Sequence, residues 1–173
     1  MDFPETGEQA SEVCDSLTLL RGPQAFIKHL TSNLKATSRK VDILTRDLDR
    51  LLYSDEDVCS AISQVARAHP QAHIRVLIKD PRPAMDQHHR LIALQQRLTS
   101  KITMRQLKVS PENESRGYAV CDAKRILLQH SDGEYDGFCN TDARPEAQAL
   151  LEEFDLLWDR QSNVIEELKD LRL

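Results

Sequence analysis

Two short charged clusters carry the side chains best suited to chemistry. Arg46 and Asp47 stand in the run R-D-L-D-R, while Asp80 lies in I-K-D-P-R-P and is followed by the H-H-R that contains His89 and Arg90. Guanidinium groups hold phosphates and carboxylates through paired hydrogen bonds, and a nearby helix N-terminus adds a favourable field for negative charge. Such a set suits an anionic or phosphate-bearing small ligand. A plainer reading stands beside it, in which Asp80 caps the loop before Pro81 while Arg46 and Asp47 form local ion pairs. Neighbouring side chains on a helix point about 100° apart, so His88 and His89 do not share a metal, and neither a metal site nor a cofactor is expected.

The elements that must position these groups follow from hydrophobic period. Val41 to Thr45 and His73 to Asp80 read as strands, the second with Ile74, Val76, Leu77 and Ile78 buried on both faces of a sheet. Arg46, Asp47 and Asp80 thus fall just beyond the carboxyl ends of two parallel strands, where ligands bind in open α/β sheets. Helices are predicted over Gln24 to Lys35, after Ser54 with its acidic first turn Asp55-Glu56-Asp57, and over Asp86 to Leu98. Further strands are predicted at Ser16 to Leu20 and Ile102 to Leu107, and Asp132 to Thr141 reads as a loop. Pro145 opens a last helix with Ala149, Leu150, Phe154, Leu157 and Trp158 as its inward stripe. Strands alternating with helices imply an α/β class with a mixed, mostly parallel sheet flanked by helices.

Composition bounds the function classes. With 173 residues, 40% hydrophobic and 29% charged, the chain suits one packed domain. A division into a lead-in over 1–15, an α/β domain over 16–162 and a C-terminal helical extension over 163–173 is expected. The extension could pack back on the domain or against a second copy. A net charge of −5, from 23 basic and 28 acidic residues, argues against general nucleic-acid binding. No window is apolar enough for a membrane span, and the acidic start lacks the basic and apolar regions of a secretory leader, so a cytoplasmic location is expected. Cys14, Cys59, Cys121 and Cys139 lie far apart and are expected to be reduced and mostly buried.

Tyr118 to His130, Y-A-V-C-D-A-K-R-I-L-L-Q-H, reads as two strands around a tight Asp122-Ala-Lys124 turn. With the preceding order of elements and the F-D-x-L-W of the last helix, it resembles one half of the phospholipase D superfamily over roughly residues 16 to 160. That superfamily carries H-x-K-x-x-x-x-D, with the His as nucleophile and the Lys stabilising phosphate charge, followed by G-S. Setting its Asp on Asp122 puts Ser115 in place of the His, Gly117 in place of the Lys, and Gln129-His130 in place of Gly-Ser. Asp122 is thus a motif remnant, and no catalytic residue is assigned. The segments T-R-D-L at Thr45, I-K-D-P-R-P at Ile78, H-R-L at His89 and F-D-L-L-W at Phe154 are also similar to a small bacterial phospholipase D-like domain that occurs alone or joined to GNAT-type acetyltransferases.

The resemblance implies a catalytically degenerate module with a binding or accessory role. A homodimer is the expected assembly, because single-motif relatives pair two copies. Two other readings remain open: a phosphodiesterase-like hydrolase with a rearranged site using His89 or His130, and a structural partner of an acetyltransferase.

Overall fold

The computed structural model describes residues 16–86, 88–108 and 115–170. Cys14, the lead-in over 1–15 and Leu171 to Leu173 lie outside them. An eight-stranded sheet runs in the order β1-β7-β6-β5-β2-β3-β4-β8. The strands are β1 Leu17–Arg21, β2 Lys40–Thr45, β3 His73–Ile78, β4 Ile102–Leu107, β5 Gly117–Cys121, β6 Arg125–Gln129, β7 Asp136–Asn140 and β8 Ser162–Val164. The α/β class and the mixed sheet agree with the sequence, whereas the balance of pairings does not. Only β2–β3 and β3–β4 are parallel; the other five pairings are antiparallel. Parallel neighbours need helical crossovers, and crossovers between adjacent strands join only β2 to β3 and β3 to β4, toward one side of the sheet.

Helices α1 (Pro23–Lys35), α2 (Arg50–Tyr53), α3 (Glu56–Ala68), α4 (Arg82–Asp86) and α5 (Arg90–Arg97) lie between the early strands, and α6 (Arg144–Arg160) and α7 (Glu166–Asp170) follow β7. Local chemistry explains most ends. Gly22 enters α1 at φ 85, a region glycine adopts without strain, and Pro23 stands at the first helical position. Asp55, not Ser54, caps α3 by accepting from the amides of Asp57 and Val58. The helix predicted over Asp86 to Leu98 is shorter, beginning at Arg90 because His89 leaves the helical conformation to cap α5, and the short α4 before it was not predicted.

Each sheet face has its own core. Phe26, Leu30 and Leu34 of α1 and Val58, Ile62 and Val65 of α3 pack with Ile43, Val76 and Ile102 on one face. On the other, Ala147, Leu150, Leu151 and Phe154 of α6 cover Leu44, Leu77, Tyr118 and Val120. Ala147 rather than the exposed Ala149 joins this stripe, since 147, 150, 151 and 154 share one face at helical spacing. A polar clamp holds α6 as well. Buried Asp42 faces Arg75 across β2 and β3, with Nε 2.6 Å from Oδ1, and the same guanidinium reaches Asp155 at 2.8 Å. It also lies over the rings of Phe154 and Trp158, 4.8 and 5.5 Å from their centroids.

The C-terminal segment belongs to the same body. β8 extends the sheet beside β4, and Ile165 and Leu168 are buried in the first core. Cys59, Cys121 and Cys139 are buried free thiols, with burial pushing Cys59 up to about 11 and Cys121 up to about 12. Among the described residues, no helix is long and apolar enough to cross a membrane.

Candidate functional site

The carboxyl ends of β2 and β3 stay paired one step beyond the strands. The amide of Lys79 donates to Thr45 O at 3.0 Å and that of Asp80 to Arg46 O. Successive side chains here turn to opposite sides. Arg46 is exposed and lies against the β6–β7 loop, its Nη2 3.0 Å from the point where a side chain on Gly133 would begin. Asp47 instead lines a small cleft of about 70 Å³ with Leu48, Arg50, Pro83, Ala84 and His89.

The predicted residues therefore gather only in part. Asp80 is engaged by Arg82, whose Nε and Nη2 stand 2.9 and 3.0 Å from its two carboxylate oxygens. Those hydrogen bonds hold its carboxyl below the usual range. The His89 ring is buried, and its Nε2 is 2.9 Å from Leu48 O while its Nδ1 is 3.2 Å from the Leu91 amide. A carbonyl can only accept and an amide only donate, so the ring is neutral with its proton on Nε2. Burial lowers its pKa accordingly. Arg90 turns away from the strand ends. Its amide donates to Ser54 Oγ at 3.1 Å and its guanidinium to Ser54 O at 3.3 Å.

A second group sits beside Arg46, where the sequence motif would have placed its Lys. Gly117 opens β5 opposite Gln129 of β6. A Cβ on Gly117 would lie 2.5 Å from Asp132 Oδ1 and 3.1 Å from Gln129 Oε1, so those two side chains occupy the space a longer residue would need. The other Asp132 oxygen accepts from Lys79 Nζ at 2.5 Å, and Lys79 also donates to Arg116 O at 3.1 Å. Both side chains of this pair are about 5% exposed. Burial raises the Asp132 pKa, an effect that hydrogen bonding and charge from Lys79 only partly offset.

Neither Lys79 nor Asp132 stood out in the sequence as a site residue. Lys79 ends an apolar strand, the one local hint, and Asp132 begins an ordinary S-D-G turn. Ser115 is exposed, 3.5 Å from His130 O, and the exposed His130 sets its ring 6.2 Å from that of Phe138. Among the described residues, no three His, Cys, Asp or Glu side chains gather closely enough to hold a metal ion.

Asp122 is structural in a specific way. It stands at φ 53 in the β5–β6 turn, and its carboxylate accepts from the amides of Ser38, Arg39 and Lys40 at 2.6, 3.0 and 3.0 Å. Burial alone would raise its pKa; the three amides outweigh that and leave it lowered. The carboxylate thereby ties the hairpin to the loop that launches β2.

A family model described as a domain of unknown function (DUF7931) matches residues 22–171. No curated protein matches the sequence. Among solved structures, TrmBL2, an archaeal chromatin protein described as showing a novel mode of DNA binding, superposes with a TM-score of 0.60 at 10% identity, covering 95% of this chain. This chain spans only 64% of TrmBL2. Nuc from Salmonella typhimurium, described as a phospholipase D family member, gives 0.60 at 12% identity, with coverage of 87% of this chain and 97% of its own. NucT from Helicobacter pylori gives 0.57 at 13%, with 87% and 98%. At such identities the likeness is one of fold, and it is the phospholipase D-like fold that the hairpin motif implied. The TrmBL2 likeness overturns the expectation of no general nucleic-acid binding. That expectation came from summed charge, which says nothing about how charge is distributed over a surface.

Proposed function

We propose that this chain, which belongs to the DUF7931 family, is a phospholipase D-like module that binds an anionic, phosphate-bearing ligand without cleaving it. The observation that carries the reading is the group around Gly117. Phosphodiester cleavage of the superfamily's kind needs an imidazole nucleophile and a free cation at the phosphate. Here the position of the motif Lys is a glycine, and the carboxylate of Asp132 takes up the vacant space. The ammonium group of Lys79 beside it is committed to that carboxylate in a buried pair. A phosphate entering there would have to displace Asp132 and leave it buried without its cation, at a cost of several kcal/mol.

Binding without chemistry is better served at the rim. Arg46 is exposed at the strand ends, makes no ion pair among the described residues, and extends over Gly133 beside the Lys79–Asp132 pair. A phosphate held there would meet a guanidinium fork from outside. The hydrolase reading is weaker, since both His89 ring nitrogens already hold backbone groups and the described partners of the His130 ring do not include a carboxylate or a cation.

Calorimetric titration with inorganic pyrophosphate tests the proposal, alongside an assay of bis(p-nitrophenyl) phosphate hydrolysis. Binding is expected in the wild type, weakened at least about tenfold in Arg46→Ala, with no hydrolysis above background. Turnover that disappears in His89→Ala or His130→Ala would establish the hydrolase instead. Pyrophosphate binding unchanged in Arg46→Ala would remove the rim from consideration.

A further inference from the structure

A second concave surface lies on the helical layer, between α3 and α5. Both helices are crossovers between neighbouring parallel strands, so they run side by side in the same direction. The groove between them encloses about 920 Å³. From Glu56 to Arg67 it follows α3 over twelve residues, roughly 16 Å at helical rise.

Its charge is set by arginine. Arg90 and His88 line one end, and Arg67 and Arg97, from the last turns of the two helices, line the other. Arg90 and Arg97 are seven residues apart, two turns along one side of α5 and about 10 Å along its axis. All three guanidinium groups are exposed, and Arg67 and Arg97 make no ion pair among the described residues. Glu56 is the one carboxylate on the described walls, which leaves this surface net positive on a chain whose total charge is −5.

We propose that this groove is a docking surface for the sugar-phosphate backbone of a nucleic acid. Guanidinium forks at both ends match phosphates spaced along a strand, and Ser60, Ser63 and Gln64 supply neutral hydrogen-bonding groups between them. Among the described lining residues there is no Phe, Tyr or Trp, and His88 at one end is the one ring on which a base could stack, so contact falls mainly on the backbone. An acidic peptide fits less well. Helical walls offer no open strand edge for a peptide backbone to pair with, and the apolar floor of Cys59, Ala93 and Leu94 gives a helical ligand few anchors. The inference does not rest on the reading of the Arg46 rim, which involves different residues at the strand ends.

The test is fluorescence anisotropy of the full chain with a labelled DNA oligonucleotide, single-stranded and duplex, across a salt series. Binding that weakens steeply with salt is expected. The Arg67→Ala/Arg97→Ala double variant is expected to bind at least about tenfold more weakly and to lower the salt slope by about 2. Arg144→Ala, an exposed arginine at the start of α6 on the opposite sheet face, is expected to leave binding unchanged. Both groove arginines are exposed, and a thermal melt establishes that the double variant stays folded. Absence of salt-dependent DNA binding, equal binding by wild type and the double variant, or capture of polyglutamate but not DNA would each overturn the proposal.

Discussion

Asp122 fills, in this chain, the role of an architectural anion. Three consecutive amides converge on its carboxylate, and its backbone sits at positive φ, which Asn tolerates nearly as well. Asp122→Asn should therefore fold with the same turn but lose charge-assisted hydrogen bonds worth about 1–3 kcal/mol at neutral pH. Because the folded carboxyl is lowered beneath its ordinary 3.8, the stability it supplies is present above that value and is lost as pH falls through the lowered one. Urea denaturation of both proteins at about pH 7 and about pH 3 should show the gap between them closing in acid. A gap independent of pH would assign the effect to turn geometry. The sequence made Asp122 legible, because D-x-K between two apolar runs signals a turn. It carried no sign that the carboxylate's partners are the amides of Ser38, Arg39 and Lys40, more than eighty residues away.

At the scale of elements, the predicted strands and helices of the first 107 residues stand close to where periodicity put them, and β7 is the clearest miss. Asp136–Asn140 reads D-G-F-C-N, short and glycine-containing, with little intrinsic strand preference. It is a strand because it lies between β6 and β1, bonded to both. Gly137 makes that possible, since a Cβ there would lie far inside contact distance of the Leu128 carbonyl, at 1.8 Å. Gly137→Ala is expected to separate β6 from β7 and to cost more than about 3 kcal/mol in chemical denaturation, or to prevent folding. A cost below about 1 kcal/mol would mean the strand shifts to accept a side chain. The same close approach explains why the segment read as a loop: its glycine is a packing requirement imposed by a neighbour.

Across the whole molecule, the two ends of the sheet are closed by segments distant in sequence. β1 pairs with β7 at one side and β8 with β4 at the other, and the chain after α6 returns Ile165, 1% exposed, to the core beneath α5 and β4. Ile165→Ala should cost about 2–4 kcal/mol, as expected for a large aliphatic side chain removed from a packed core. A loss under about 0.5 kcal/mol, read from the urea midpoint at unchanged slope, would mean the C-terminal segment is docked only loosely.

The amino-acid sequence by itself determined the α/β class, the principal strands and helices, the hairpin around Asp122 and its likeness to the phospholipase D superfamily. Each of these rests on periods, turn residues and motif spacings that lie within a few residues of one another. The mostly antiparallel pairing, the strand at β7, the neutralisation of Lys79 by Asp132 and the alignment of Arg67 with Arg97 along one groove were decided only by the tertiary structure. They join residues far apart in the chain, 53 positions in the case of Lys79 and Asp132. Such pairings depend on which loops fold over which strand ends. Local propensity carries no record of that, and burial and charge impose it only once the sheet has formed.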